Sequence, residues 1–167
     1  MPNHVANRVL LHGQSVEDCR KYLIGRKGVL SFEVLLPLPL NEWPGSVGSK
    51  HEKAFPGNHL DSARRIWGTK WDAYGGPTVE QASEGVLLNF QTAWNHPRGW
   101  VCAIFNTLLC PITAKWISEG DNTAHIETYE IDKSWGPQWA QRAATADERR
   151  EMYIALWGCT PEEMAEA

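Results

Sequence analysis

His51, Glu52, His59 and Asp61 crowd into one short segment, and imidazoles with carboxylates are the donor set of a divalent metal. Their spacing argues against that use. Neither HExxH nor an i, i+4 histidine pair is present, so no helical turn would bring two imidazoles to one ion. Just before them, Gly45-Ser46-Val47-Gly48-Ser49-Lys50 resembles a phosphate loop, but Ser49 separates the second glycine from the lysine and proline surrounds the segment. Both stretches read as solvated loop. The cysteines, Cys19, Cys102, Cys110 and Cys159, form no C-x-x-C pair and read as reduced thiols of a cytosol. Cys102 and Cys110 lie on or beside an apolar helical run, where a thiol behaves as a small buried hydrophobe. A nucleophile needs a base within reach, and no G-x-S-x-G elbow supplies one. Glu119, Asp121, Glu127 and Glu130 cluster around a turn, where edge carboxylates block strand-to-strand association. His96 falls at a helix start and His125 on a strand face. The expectation is no catalytic residue, no cofactor and no metal.

The bulk properties agree. The chain has 167 residues and a net charge of −4, with 43% hydrophobic and 22% charged residues. A chain of this length buries roughly 70% of its unfolded surface, so it needs no disulfide or metal staple. The charge offers no basic footprint for a phosphate backbone. No run approaches 18 apolar residues and no charged leader precedes an apolar run, so neither a membrane span nor a secretory signal is expected. Nine tryptophans imply large anchors under irregular loops, or an aromatic surface.

Hydrophobic periodicity places the elements. Val5, Val9 and Leu11 share a strand face. Ser15 caps a helix carrying Val16, Cys19 and Leu23. Leu30, Phe32, Val34 and Leu36 alternate as a second strand. An irregular stretch with Trp43, Phe55, Trp67 and Trp71 follows, helical only over "HLDSARRIW". The run "GVLLNFQTAW" reads as a strand with Val86, Leu88, Phe90, Thr92 and Trp94 on one side. Pro97 opens a helix with a wide apolar face. "ITAKWISEG" and "TAHIETYEI" read as a hairpin around Gly120-Asp121-Asn122. Beyond Pro137 the pattern turns helical, with a capping box at Thr145–Glu148 and another start at Thr160.

Right-handed crossovers make this order an α+β, ferredoxin-like split β-α-β sandwich. Residues 1–134 form it, with an insertion at about 38–84 between strands 2 and 3 and an extra hairpin strand. Residues 135–167 form a helical extension packed on the same domain. In "WGTKW", Trp67 ends the stripe of its helix, Gly68 allows the left-handed turn that stops it, and Trp71 falls in alternation with Ala73. Trp67, Gly68 and Trp71 are expected to anchor the insertion on the core.

"PNHVANRVLLHG", "LLPLP", "WGTKWDAYGG", "FQTAWNHP" and "ISEGDN" follow one another at spacings that resemble the ferredoxin-like domain family of bacteriophage and plasmid proteins named after a protein of an APSE phage. The likeness covers about residues 2–132. It implies the fold and a mobile-element origin, hence a bacterial host cytoplasm, and it carries no catalytic residues to transfer. Such proteins commonly act by binding a host protein or complex. The expectation is a non-catalytic protein-binding accessory protein, specifically an inhibitor of a host defence system such as CRISPR–Cas. Two alternatives stay open: a nucleic-acid or nucleotide binder using exposed tryptophans, and a small hydrolase or metal enzyme built on the His51–Asp61 loop. Trp43, Lys50 and His51 in the insertion, with Glu119 and Asp121 in the hairpin, are the expected partner contacts, an aromatic centre with a polar surround.

Overall fold

The computed structural model describes residues 3–43, 50, 54, 57–119 and 123–166. Six strands form one antiparallel sheet in the order β2-β3-β1-β4-β5-β6: β1 (His4–His12), β2 (Tyr74–Ala82), β3 (Gly85–Ala93), β4 (Ile112–Ser118), β5 (Ala124–Asp132) and β6 (Gly136–Ala143). The helices are α1 (Val16–Leu23), α2 (His59–Ile66), α3 (Arg98–Leu108), α4 (Ala146–Trp157) and α5 (Pro161–Glu166). The first four strands with α1 and α3 make the split β-α-β pattern in ferredoxin-like order, and β5 and β6 extend the sheet.

Alternation on the strands sorts the two faces. Val9 and Leu11 of β1, Leu88 and Phe90 of β3, and Ile112 and Ala114 of β4 meet Cys19 and Leu23 of α1 and Trp100, Val101, Ile104 and Phe105 of α3 in the main core. On the opposite face Ile117, Ala124 and Ile126 pack under Met152 and Tyr153 of α4. Thr145 and Glu148 close the capping box that starts α4, and Thr160 and Glu163 repeat the bonds for α5.

Three elements depart from the periodicity. The stretch read as a second strand holds only a 3₁₀ turn at Phe32–Val34. Leu30 and Phe32 are buried as the alternation requires, but Asp72 takes the local donors: its carboxylate accepts from the Ser31 hydroxyl at 2.6 Å and the Phe32 amide at 2.7 Å. The second strand is instead Tyr74–Ala82, so the insertion lies in the crossover from α1 to β2 and ends before Tyr74. This strand hides in the sequence behind Gly75-Gly76-Pro77, where the pairing register slips between Tyr74 and Thr78. A sheet edge tolerates such a slip and the proline. Residues 136–143, expected to be helical, are β6; every residue from Pro137 to Ala143 is exposed, so no alternation marks them. The extension is thus a strand and two helices.

The crossover is fastened by "WGT". Trp67 is 2% exposed, donates from Nε1 to the Leu36 carbonyl at 2.8 Å, and meets Phe32 edge-on at 5.6 Å. Gly68 has φ +90°, and a Cβ there would lie 3.2 Å from the Arg98 nitrogen. A Cβ on Gly99 would collide with the Ile66 carbonyl oxygen. Backbone therefore touches backbone where α2 ends and α3 begins. Thr69, fully buried, donates its hydroxyl to the Ala93 carbonyl at 2.8 Å. Trp71 departs from the anchor role: it is 38% exposed, with Tyr74 edge-on at 6.0 Å and the Lys70 ammonium 5.3 Å from its ring centre. The turn after Gly68 sends the first tryptophan inward and leaves the second at the rim. Trp94, expected on the core side of β3, has φ +75° just past the strand end and is exposed.

Candidate functional site

Polar residues on inward strand positions build a buried cluster at the start of α3. Asn7, Thr92 and Glu127 are all fully buried, although strand phase puts them among the apolar inward positions. Arg98 donates to Glu127 Oε1 from Nε at 2.9 Å, and again from Nη2. Tyr129 donates its hydroxyl to Glu127 Oε2 at 2.7 Å. Asn7 Nδ2 donates to Thr92 Oγ1 at 2.9 Å and to the Val5 carbonyl at 2.9 Å, and Thr92 donates onward to the Asn95 carbonyl at 2.8 Å. With its amide nitrogen so committed, Asn7 presents Oδ1 to His96 Nδ1 at 2.8 Å. The neutral imidazole therefore carries its proton on Nδ1. Its Nε2 faces Glu127 Oε2 at 3.8 Å, beyond hydrogen-bond reach.

Burial and charge decide the protonation states. Burial lowers the His96 pKa to about 4, overcoming the opposing pull of Glu127. Burial also pushes the Glu127 carboxyl upward, but the hydrogen bonds from Arg98 and Tyr129 outweigh it and hold the pKa below its ordinary value. The phenol of Tyr129 is driven up by burial and by its bond to Glu127. A carboxylate saturated by a guanidinium and a phenol is a poor base. The cluster ties β5 to the start of α3.

That tie reaches the surface. Arg98 also donates to Gln141 on β6, and its guanidinium lies 5.0 Å from the ring centre of Trp139. Gln141 Nε2 meets His125 Nδ1 at 3.3 Å, and His125 stacks on Trp116 at 4.0 Å, whose indole lies parallel to His96 at 5.6 Å. Beyond Tyr129, which pairs with Ile112 at the start of β4, β5 and β6 continue as a two-stranded ribbon pairing Glu130 with Gln138 through Asp132 with Gly136. The ribbon exposes Ile131 and Trp135, the latter 82% exposed, and Trp139 beside it is 55% exposed. β6 is the sheet's last strand, and among the described residues its outer edge has no strand neighbour.

The residues expected from sequence do not gather at one place. Trp43 is half-buried, its backbone bonded to Gly57 and His59. Lys50 is exposed. His51 and Asp121 lie outside the described residues. Glu119 sits at the end of β4 and accepts from the His4 amide at 3.2 Å. His4 in turn bonds the Tyr74 hydroxyl at 2.7 Å, so Glu119 and Trp71 belong to one rim of polar and aromatic groups. The loop histidine and carboxylate are committed locally: His59 Nε2 meets the Pro39 carbonyl at 2.9 Å, and Asp61 is held by Asn58 and Arg64. Among the described residues no group of three or more His, Cys, Asp or Glu could hold a metal ion, and no helix is long and apolar enough to cross a membrane. Glu127, read as one of several edge carboxylates, is instead the centre of the buried cluster. Its signal was phase, since His125, Glu127 and Tyr129 alternate on the inward face of β5.

Comparison with protein-family models, curated proteins and solved structures finds no match for this chain.

Proposed function

We propose that the protein is a non-catalytic protein-binding domain that presents the β5–β6 ribbon to a host protein or complex. One observation carries this reading: Trp135 and Ile131 are exposed on the ribbon and Trp139 beside it, and among the described residues the outer edge of β6 has no strand neighbour. Exposed aromatic anchors with a polar surround are the usual energetic centres of interfaces, and an open edge can accept a further strand. Gln138, Gln141 and the Arg142–Glu148 ion pair supply the polar surround. Arg98, fixed by Glu127, holds Trp139 in place before any partner arrives, which lowers the ordering cost of binding.

The motifs that resemble the phage and plasmid family direct the choice of partner to a host defence complex, CRISPR–Cas among them, and make the chain an accessory protein of a mobile element. The test is affinity capture from bacterial lysate with the wild-type chain and with Trp135→Ala/Trp139→Ala. Recovery of a stoichiometric host protein by the wild type and its loss with the double variant supports the reading. Equal recovery by both moves the contact elsewhere, with Lys50 and Glu119 next to be replaced. Recovery of nucleic acid alone overturns it.

A further inference from the structure

The face of the sheet that carries α4 is only half covered. The helix lies over Ile117, Ala124 and Ile126 and leaves open a cavity of about 340 Å³ beside it. Leu10 and Leu87 line this cavity with Thr113, and the β2–β3 turn residues Ala82 to Glu84 border it. Two cations stand in the same cavity, Arg8 and Lys115.

The register forces these two together. Arg8 of β1 is directly opposite Lys115 of β4, and Asn89 is opposite Arg8 on its other side. Like charges directly opposite on neighbouring strands destabilise a sheet. Both side chains are half-buried, and among the described residues neither makes an ion pair. Glu84, on the cavity wall, and Glu80, on the outer strand, are both exposed; Glu130 of β5 shares the phase of Ile126 and Thr128 on this face, and α4 brings Asp147, Glu148 and Glu151. Thr113 is already bonded through its hydroxyl to His12 Nε2 at 2.9 Å. An anion is the partner that two adjacent unpaired cations lack.

We infer that this half-open face binds a small phosphorylated molecule, its phosphate held between Arg8 and Lys115 and its apolar body laid on Leu10 and Leu87. A guanidinium offers two parallel donors to phosphate oxygens, and an ammonium adds a point charge. The volume suits a ligand of mononucleotide size. A strand of nucleic acid fits less well. Sheets that stack unpaired bases do so on rings of their central strands, and here those positions are Ala6, Arg8 and Leu10 on β1 and Leu87, Asn89 and Gln91 on β3, without an aromatic ring among them.

Phenyl phosphate combines the required anion with an apolar body. Titrated into isotope-labelled full-length protein, it shifts the amide resonances of Arg8, Leu87 and Lys115 saturably. Inorganic phosphate binds the same site more weakly. Arg8→Gln and Lys115→Gln each weaken phenyl phosphate at least about tenfold, and both variants keep or raise the melting temperature because each relieves the repulsion. The inference is overturned by unmoved amides at millimolar phenyl phosphate, by unchanged binding in Arg8→Gln/Lys115→Gln, by benzoate binding as tightly, or by a thymidine oligonucleotide binding more tightly at the same residues. Inorganic phosphate binding as well as phenyl phosphate removes the apolar subsite and overturns it too. None of these outcomes bears on the ribbon, which is tested separately by protein capture.

Discussion

Helix α3 covers two unlike halves of one layer. On one side Phe32 touches Trp67, Phe90 and Trp100 at ring separations of 5.6, 5.6 and 4.5 Å, an aromatic packing. On the other, Asn7, His96, Glu127 and Tyr129 are joined by directed hydrogen bonds, with His96 also stacked on Trp116 and Tyr129 against Phe105. The dry half gains by area removed from water, so its contributions are nearly independent of pH and fall off smoothly with lost surface. The polar half recovers through its bonds what burial costs it, so its net stabilisation is small while the loss of one member is severe. The first kind of packing holds the fold together. The second fixes orientation, and what it orients is the ribbon that carries Trp139.

The largest effects should appear when one member of either half is removed. Arg98→Met leaves the buried Glu127 carboxylate without its guanidinium and should cost about 3–5 kcal/mol in urea denaturation. The double change Arg98→Met/Glu127→Leu should cost less than Arg98→Met alone, and a double variant as costly as the sum of the singles would show that the two groups act independently. Trp67→Ala should also cost about 3–5 kcal/mol, with a cost that stays the same from pH 7 to pH 5; a cost that drifts with pH would erase the distinction between the halves.

Next in size is the pH response of the polar half. The folded pKa of His96, about 4, lies below its ordinary 6.5. Between those values the unfolded chain binds a proton that the native state does not, so stability falls as pH drops through this window, by about 3 kcal/mol in total. Glu127, held below its ordinary 4.5, adds a further loss once pH falls under that value. His96→Asn keeps a donor toward Asn7 and should flatten the profile between pH 6.5 and 4, while lowering stability at neutral pH. A variant whose melting temperature still fell across that window would assign the response to another group.

Smaller still is the contrast between the two tryptophans of "WGTKW". Trp71→Ala should cost no more than about 1 kcal/mol, because much of its ring is already in water, and Lys70→Ala should change little. A melting temperature for Trp71→Ala as low as that of Trp67→Ala would return Trp71 to the anchors. Smallest is Trp135→Ala, expected within about 0.5 kcal/mol of wild type by thermal melting, since the ring serves no internal contact if it is kept for a partner.

Much of the framework was legible from the residues. The strands carrying Val9, Leu88 and Ile117, the caps at Ser15, Thr145 and Thr160, and the split order all follow from period and punctuation. The failures share a cause. Where a segment's donors are taken by a distant side chain, as Asp72 takes the Ser31 hydroxyl and the Phe32 amide, alternation counts burial correctly and still names the wrong element. Where a strand lies at a sheet edge, as β2 and β6 do, little burial exists to imprint a period. The polar cluster was hidden differently. Glu127 is a charged residue next to a turn, and only its phase with Tyr129, together with Arg98 a long way back in the chain, distinguishes it from a solvated carboxylate. Glu119 proved to share a rim with Trp71 through His4 and Tyr74, a link that requires the first strand and the second to be placed.

The close approach of Gly68 to the start of α3 also constrains the sequence of events in which the chain assembles. The backbone that receives Gly68 and Thr69 lies later in the chain: the Ala93 carbonyl and the amides of Arg98 and Gly99. Until β3 and α3 have formed, Gly68 and Thr69 have nothing to seal against, and closure of the long crossover gains none of these contacts. The turn from Trp67 to Thr69 therefore closes late in folding, after the elements that receive it.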